Sequence, residues 1–296
     1  MDFGLQTRSL IHAALEEDLG EAGDITSSLL DDPQRPAEAR LRARMSMGVV
    51  CGLELAPLIL DALHQRLGTL IEFSPRMPDG TYFKVGTDLA DLRGPRAALL
   101  AAERTLLNFL TRMTAVASHT RCFVDLAKAA NPSVEILDTR KTLPGWRELD
   151  RYAVRCGGGS NHRDGLYDAV LIKDNHLAGV PVERLADVLR GMIGRIGDRP
   201  VRFVEVEVDT LEQLEKALSV EAIDVILLDN FGEKRLREAV ELRNRLRRGK
   251  RPLLEASGGV NLGNVGLIAN SGVERISIGA LTHSPPGVDL GLDFCG

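Results

Sequence analysis

The chain has 296 residues, 44% hydrophobic and 27% charged, with a formal net charge of −5 and a pI near 5.8. That size and balance fit a soluble globular protein of one large or two moderate domains. Aromatic content of only 4%, with no long basic run, argues against a nucleic-acid surface, and no apolar run approaches the roughly 20 residues of a membrane span.

The start, MDFGLQTRSLIHAALEEDLG, reads as an amphipathic helix rather than a signal peptide. A cytoplasmic location with no membrane partner is therefore expected. Cys51, Cys122, Cys156 and Cys295 show neither C-x-x-C pairing nor metal spacing, so free thiols are expected. Cys156 beside Arg155 also has the setting of an activated thiol. Up to about residue 90 the pattern suggests a small α+β unit, with strand-like pieces at Ala39 to Met45 and Leu70 to Phe73.

Pro95 opens a long helical stretch, with room for a break, that ends at Asn131-Pro132. Its first half places Leu99, Leu106, Leu107, Leu110 and Met113 on one face, with Glu103 inside that face and Arg104 at its margin. A carboxylate there calls for a cation or a donor-rich loop, although a solvated Glu-Arg step fits the same letters.

Beyond Asn131, short apolar runs alternate with helix-length segments, the form of repeated β-α units. Six strands are expected: 134–138, 169–173, 202–208, 225–229, 253–257 and 275–279. At or just past their carboxyl ends lie Asp138 with Arg140 and Lys141, then Lys173, Glu207, Asp229, Ser257 with Gly258, and Gly279. In a β/α barrel these ends converge on one face, where active sites of that architecture sit.

Between Arg140 and Arg163 the chain carries six Lys or Arg residues against Glu148 and Asp150, a cationic cluster on an acidic protein. The cations Arg140, Lys141, His162, Arg163 and Lys173, set against Glu207 and Asp229, suit a phosphorylated substrate plus a metal. Two carboxylates from different strand ends can hold Mg²⁺ through oxygen ligands and water. Other readings fit single positions. Glu207 in EVEVD also suits a solvent-facing strand residue, Asp229-Asn230 a turn or N-cap, and the two histidines ordinary hydrogen-bonded side chains. The glycines of 257–259, 278–280 and 157–159 suit either a phosphate cradle or plain turns.

Ordered blocks along most of the length carry a resemblance. EEDLGEAGDIT (16–26), AERTLLNFL (101–109), DTRKTLPG (138–145), YAVRCGGGSNHRDGL (152–166), LIKDNH (171–176), EVEVDT (205–210), LLDN (227–230), ASGGVN (256–261) and IGALTHS (278–284) resemble the quinolinate phosphoribosyltransferase family. The fold this implies is α/β: an N-terminal open α/β sandwich (1–116), an incomplete six-stranded α/β barrel (117–280), and a tail (281–296) returning to the N-terminal domain. The activity implied is that of a pentosyltransferase. Phosphoribose passes from 5-phosphoribosyl 1-pyrophosphate to the ring nitrogen of quinolinate, giving nicotinate mononucleotide, pyrophosphate and CO₂ in NAD biosynthesis.

Carried over position by position, the resemblance gives Arg140, His162 and Arg163 the quinolinate carboxylates, joined by Arg104 from the other subunit of a homodimer. Lys141, Lys173, Ser257, Gly258 and Gly279 serve the phosphoribosyl donor, and Glu207 and Asp229 the ribose or Mg²⁺, the only cofactor implied. Two departures stand out: MTAVASHT (113–120) replaces a serine-glycine-containing stretch, and Trp146 stands where a smaller apolar residue is usual. Competing assignments are a molybdenum-transport paralogue of the same fold, against which intact TRK, NHR and IKDNH argue, and a Schiff-base lyase using Lys173 as nucleophile. A non-enzymatic anion-binding module fits less well, because Glu207 and Asp229 weaken simple anion capture.

Overall fold

Internal contacts divide the computed structural model, which describes residues 3–246 and 251–295, into two units. The first gathers the described residues of Met1–Arg121, Thr142–Gly158 and Thr282–Gly296; the second gathers Cys122–Lys141 and Gly159–Leu281.

In the first unit, α1 (Leu5–Leu19) buries Ile11, Leu15 and Leu19 along one stripe. Strand β1 (Pro36–Ala43) alternates, with Ala39, Leu41 and Ala43 inward and Arg42 outward, its Nε 2.7 Å from Asp88 Oδ1. Period-two burial of this kind is what a sheet with one wet face requires. Helix α2 (Ala56–Leu67) carries Pro57 in its first turn and stops at Gly68, whose φ of 67° supplies the left-handed C-terminal turn.

Four strands, β1, β3 (Glu72–Pro75), β5 (Asp88–Pro95) and β12 (Leu290–Phe294), make an antiparallel sheet in the order β12-β1-β5-β3. A separate pair joins β2 (Met47–Val49) to β4 (Tyr82–Lys84).

Helix α3 (Arg96–Ala130) runs unbroken through the stretch where the sequence left room for a break. Leu99, Leu106, Leu107, Leu110 and Met113 are all buried, as the helical period requires. Glu103 corrects one expectation: it is half-buried, and no ion pair or hydrogen bond joins it to another described residue. Its partial exposure leaves water as its solvent, so no protein cation is needed. The departing segment MTAVASHT is built into the packing. Thr114 Oγ1 receives the Cys51 N–H at 3.1 Å, and Ser118 Oγ receives the Val49 N–H at 2.8 Å. Trp146 stacks on Phe109 of α3 with ring centroids 4.9 Å apart and an interplanar angle of 25°. It precedes α4 (Arg147–Cys156).

The second unit is a six-stranded parallel sheet in the order β6-β11-β10-β9-β8-β7. Its strands are β6 (Glu135–Leu137), β7 (Val170–Ile172), β8 (Val204–Val208), β9 (Val225–Asp229), β10 (Leu253–Ser257) and β11 (Arg275–Ser277). Between them come α5 (Val182–Gly194), α6 (Leu211–Leu218), α7 (Glu233–Leu246) and α8 (Val265–Ala269), with α9 (Ala280–His283) after the last. All six strands fall inside the expected spans, so the fold class read from the sequence stands.

Local chemistry fixes the element ends. Thr210 caps α6 by accepting the Gln213 N–H at 3.1 Å, and Gln213 Oε1 accepts the Thr210 N–H at 3.2 Å in return. Among the described residues no helix is long and apolar enough to cross a membrane.

Candidate functional site

The parallel sheet of the second unit delivers its polar groups to one edge. Lys173 directly follows β7, where Ile172 pairs with Val206 of β8. Glu207 of β8 pairs with Leu227 of β9, and Asp229 ends β9 opposite Ser257 of β10. Arg140 and Lys141 follow β6, and Gly279 follows β11. The carboxyl ends of six parallel strands therefore present Lys173, Glu207, Asp229, Ser257, Gly279 and the Arg140-Lys141 pair in sheet order.

Glu207 is not a solvent-facing residue of an alternating strand. All five residues of β8 are buried, with Val204, Val206 and Val208 on one side and Glu205 and Glu207 on the other. A carboxylate so enclosed must be matched, and Lys173 Nζ forms an ion pair with Glu207 Oε2. That pairing suits Lys173 to charge matching rather than to imine formation, which removes the main support for a Schiff-base lyase.

Asp229, half-buried, accepts the Asn230 side-chain amide at 2.7 Å. Asn230 adopts a left-handed φ of 55°, and its backbone N–H reaches the Ser257 carbonyl at 2.9 Å. Gly258, at φ 88°, has no room for a Cβ, which would come within 2.6 Å of Asn230 Cγ. The turns after β9 and β10 are thus interlocked.

Asp138, fully buried at the end of β6, organises the next segment: its Oδ1 accepts the His162 N–H at 2.8 Å and its Oδ2 the Asn161 amide at 2.6 Å. Ser160 meanwhile bridges to Leu137 on the open side of β6. His162 is 5% exposed, with Nε2 2.9 Å from Glu205 Oε2 and 3.3 Å from Glu255 Oε1. Arg275 Nε lies 2.9 Å from Glu255 Oε2, completing a buried set of two carboxylates and two bases.

Burial opposes a charge on the His162 ring, but the hydrogen bonds to Glu205 and Glu255 outweigh it and push its pKa up to about 9. Burial likewise raises the Glu205 pKa, whereas His162 and Arg275 draw Glu255 down against its own burial. His162 Nδ1 accepts the Arg163 N–H at 2.8 Å, a bond that a second ring proton would break. Protonation of the ring is thus favoured by Glu205 and Glu255 and opposed by burial and by the Arg163 bond.

Arg163 is buried, its Nη1 3.5 Å from the Ala169 carbonyl. Burial lowers its pKa, and the neighbouring guanidinium of Arg140 lowers it further. Two arginines set close enough to repel mark a place for an anion. Arg140 and Lys141 are exposed, as is Gly258, while Ser257 and Gly279 are half-buried. Arg104 is exposed on α3, within the first unit. His176 has a local role: its Nδ1 accepts the Lys173 N–H at 2.9 Å.

Sequence reasoning missed Asp138's two donors and the Glu205, Glu255 and Arg275 set. Charged residues at inward positions of strands otherwise made of Val, Leu and Ile were the available signal.

Two family models cover nearly the whole chain: the quinolinate phosphoribosyl transferase N-terminal domain over residues 24–114 and its C-terminal domain over 116–293. The nicotinate-nucleotide pyrophosphorylase [carboxylating] of Mycobacterium leprae is 40% identical over 97% of this chain and 96% of its own. A probable enzyme of the same name from Bacillus subtilis is 36% identical over 98% and 93%. Among solved structures, the nicotinate-nucleotide pyrophosphorylase from Francisella tularensis superposes with a TM-score of 0.85 at 32% identity, covering 98% of this chain and 96% of that one. The Ehrlichia chaffeensis protein of that name gives 0.84 at 36% identity, with both chains covered in full. With both family models and full-length relatives matched, the chain belongs to the quinolinate phosphoribosyl transferase family.

Proposed function

We propose that this protein transfers phosphoribose from 5-phosphoribosyl 1-pyrophosphate to the ring nitrogen of quinolinate and releases pyrophosphate and CO₂, leaving nicotinate mononucleotide. The observation that carries this reading is the row of Lys173, Glu207, Asp229, Ser257 and Arg140-Lys141 at the carboxyl ends of adjacent parallel strands, beside the mutually repelling Arg140 and Arg163. Several anionic groups must be neutralised together, and the site concentrates cations on one sheet edge while keeping carboxylates for a hydroxylated ring.

Arg140 and Arg163 hold the quinolinate carboxylates in this reading, guanidinium forks being matched to that geometry. His162 was expected from the sequence to take a carboxylate directly. With both ring nitrogens engaged inside the chain, it serves by fixing the Arg163 backbone. Lys141 and Lys173 face the phosphates of the donor, Ser257, Gly258 and Gly279 offer hydroxyl and backbone donors, and Glu207 and Asp229 take the ribose hydroxyls. Arg104, exposed on its helix, reaches the neighbouring site of a homodimer.

Glu207 and Asp229, oxygen donors on neighbouring strands, suit Mg²⁺. When bound there, Mg²⁺ neutralises oxygens of the departing pyrophosphate. The chain's own part is to align the ring nitrogen with the ribose carbon and to oppose the charge that develops on the leaving oxygens through Lys141 and Lys173. Once ribosylated, the pyridinium ring accepts the electron pair released as CO₂ leaves, so the substrate supplies its own electron sink. We place the protein in the cytoplasm.

The test is an assay with quinolinate, the phosphoribosyl donor and Mg²⁺, following nicotinate mononucleotide and CO₂, with nicotinate as control acceptor. Equimolar products from quinolinate alone are expected. A folded protein silent under these conditions would move the assignment to the molybdenum-transport paralogue.

A further inference from the structure

The first unit holds a second cluster that the transfer reaction does not use. Cys51, Cys156 and Asp79 each place a side-chain ligand atom within 4.8 Å of the others. Cys51 is fully buried and Cys156 half-buried, and neither is in a disulfide. Three charged or polar atoms at this spacing invite a metal, but Asp79 is already occupied. Its Oδ2 accepts the Gly52 N–H at 3.0 Å and the Tyr152 hydroxyl at 2.8 Å, and its Oδ1 accepts the Leu53 N–H at 3.0 Å. With the Glu54 N–H a fourth donor to Oδ2 at 3.4 Å, this carboxylate is a poor ligand, which leaves the two sulfurs.

The backbones under them are fixed. Thr114 Oγ1 clamps Cys51 at both its N–H and its carbonyl, each at 3.1 Å. On the other side, Cys156 ends α4 and is followed by Gly157, where an added Cβ would lie 2.7 Å from Thr120 Cβ. Gly80 is seated between them: its N–H reaches the Val50 carbonyl at 2.9 Å, and a Cβ on it would lie 3.3 Å from the Cys156 carbonyl. The sulfurs thus start within 4.8 Å of one another on fixed backbones, and closing to the roughly 2.0 Å of a disulfide falls to the two short side chains.

We propose that Cys51 and Cys156 form a peroxide-oxidisable dithiol, with Cys156 as the attacking sulfur and Cys51 as the resolving one. The assignment of roles follows exposure first, since only Cys156 has access to solvent. The hydrogen bond from the Cys51 thiol favours the Cys156 thiolate, while burial holds Cys51 as the thiol. The Cys156 thiolate attacks a hydroperoxide oxygen, breaking the O–O bond, and the departing oxygen takes a proton as water or an alcohol; Cys156 is left as a sulfenic acid. Cys51 sulfur then displaces the hydroxyl, its proton leaving with that group as water, and the S–S bond forms. Two thiols are oxidised and one peroxide is reduced.

The experiment uses the full chain, freed of reductant and given a small excess of hydrogen peroxide near neutral pH. Thiols are then blocked with N-ethylmaleimide, and the protein is digested without reduction for mass spectrometry. The expected product is a linked peptide pair containing Cys51 and Cys156, lighter by two hydrogens than the separate thiol peptides, with the exposed Cys122 recovered as its maleimide adduct. Cys51→Ser is expected to stop at a dimedone-reactive sulfenic acid on Cys156. Recovery of both Cys51 and Cys156 as maleimide adducts, at a peroxide dose that oxidises Cys122, would overturn the proposal. So would a sulfinic Cys156 beside a free Cys51. Both readouts come from the unsubstituted protein, so they stand even if the variant does not fold, and neither depends on the transferase assay.

Discussion

Lys173 and Glu207 are ion-paired at the carboxyl ends of neighbouring strands, the lysine half-exposed and the glutamate nearly closed off from water. Removing the lysine leaves an unmatched buried carboxylate and, in the proposed reading, takes a cation from the leaving-group side. Lys173→Ala is expected to lower kcat by about 10² to 10³. Lys173→Ala/Glu207→Gln, with the stranded charge gone, is expected to regain thermal stability without regaining turnover. Steady-state kinetics beside melting curves check this; a double variant that recovers both would make the pair purely structural.

Arg140 is exposed and lies beside a buried arginine of like charge. Its loss relieves repulsion in the free protein, so Arg140→Ala should fold at least as stably as the parent while turnover of quinolinate falls below detection. A measurable destabilisation would show that Arg140 holds the fold instead of an anion.

If Arg104 serves the neighbouring site, Arg104→Ala and Arg163→Ala protomers complement one another. Mixed dimers prepared by co-expression should show activity that neither parent variant has, and verified hybrids without it would confine Arg104 to a role within its own chain.

Gly157 is held by close approach, not by an unusual φ. Its missing Cβ would lie 2.7 Å from Thr120 Cβ and closer still to the Ala117 carbonyl of α3. Gly157→Ala is expected to cost about 1–3 kcal/mol by overpacking, seen as a lowered Tm. Gly145→Ala provides the contrast: open space surrounds Gly145 but its φ is 80°, so its cost is backbone strain alone, about 1–2 kcal/mol.

His162, facing Glu205 and Glu255, gives the second unit a pH dependence of definite sign. Its folded pKa is raised to about 9, above the roughly 6.5 of an unfolded histidine. The stabilisation is therefore complete below about pH 6.5 and is lost as pH rises through about 9. Tm should fall over that window, and His162→Gln should flatten the profile. A wild-type profile flat between these limits would mean that His162 does not titrate with a raised pKa.

Much of this was legible in the letters, for physical reasons. Runs such as VILLD and LLEAS are short, apolar and flanked by polar helix-formers, so β9 and β10 are bounded as the sequence suggests. Lys173 and Asp229 were legible because each ends such a run. Glu205, Glu255 and Arg275 were not, since a charged residue inside a strand is tolerable only with partners from elsewhere in the fold, and those partners are 20 to 93 residues away in the chain. The Cys51 and Cys156 pair was hidden for the same reason. Glu103 misled because helical period places a residue on a face without saying how deep that face is buried.

Strand β12 borders β1 in the antiparallel sheet of the first unit, Leu41 opposite Leu292, although roughly 250 residues separate the two in the chain. On the ribosome, β1 must therefore wait with one edge unpaired until β12 emerges, by which time every strand of the second unit has already been made. A bare edge is a template for pairing with other chains, and long-range strand pairing is slow. Completion of the first unit thus comes last in synthesis, and loss of β12 by truncation would expose β1 to aggregation rather than merely shorten the protein.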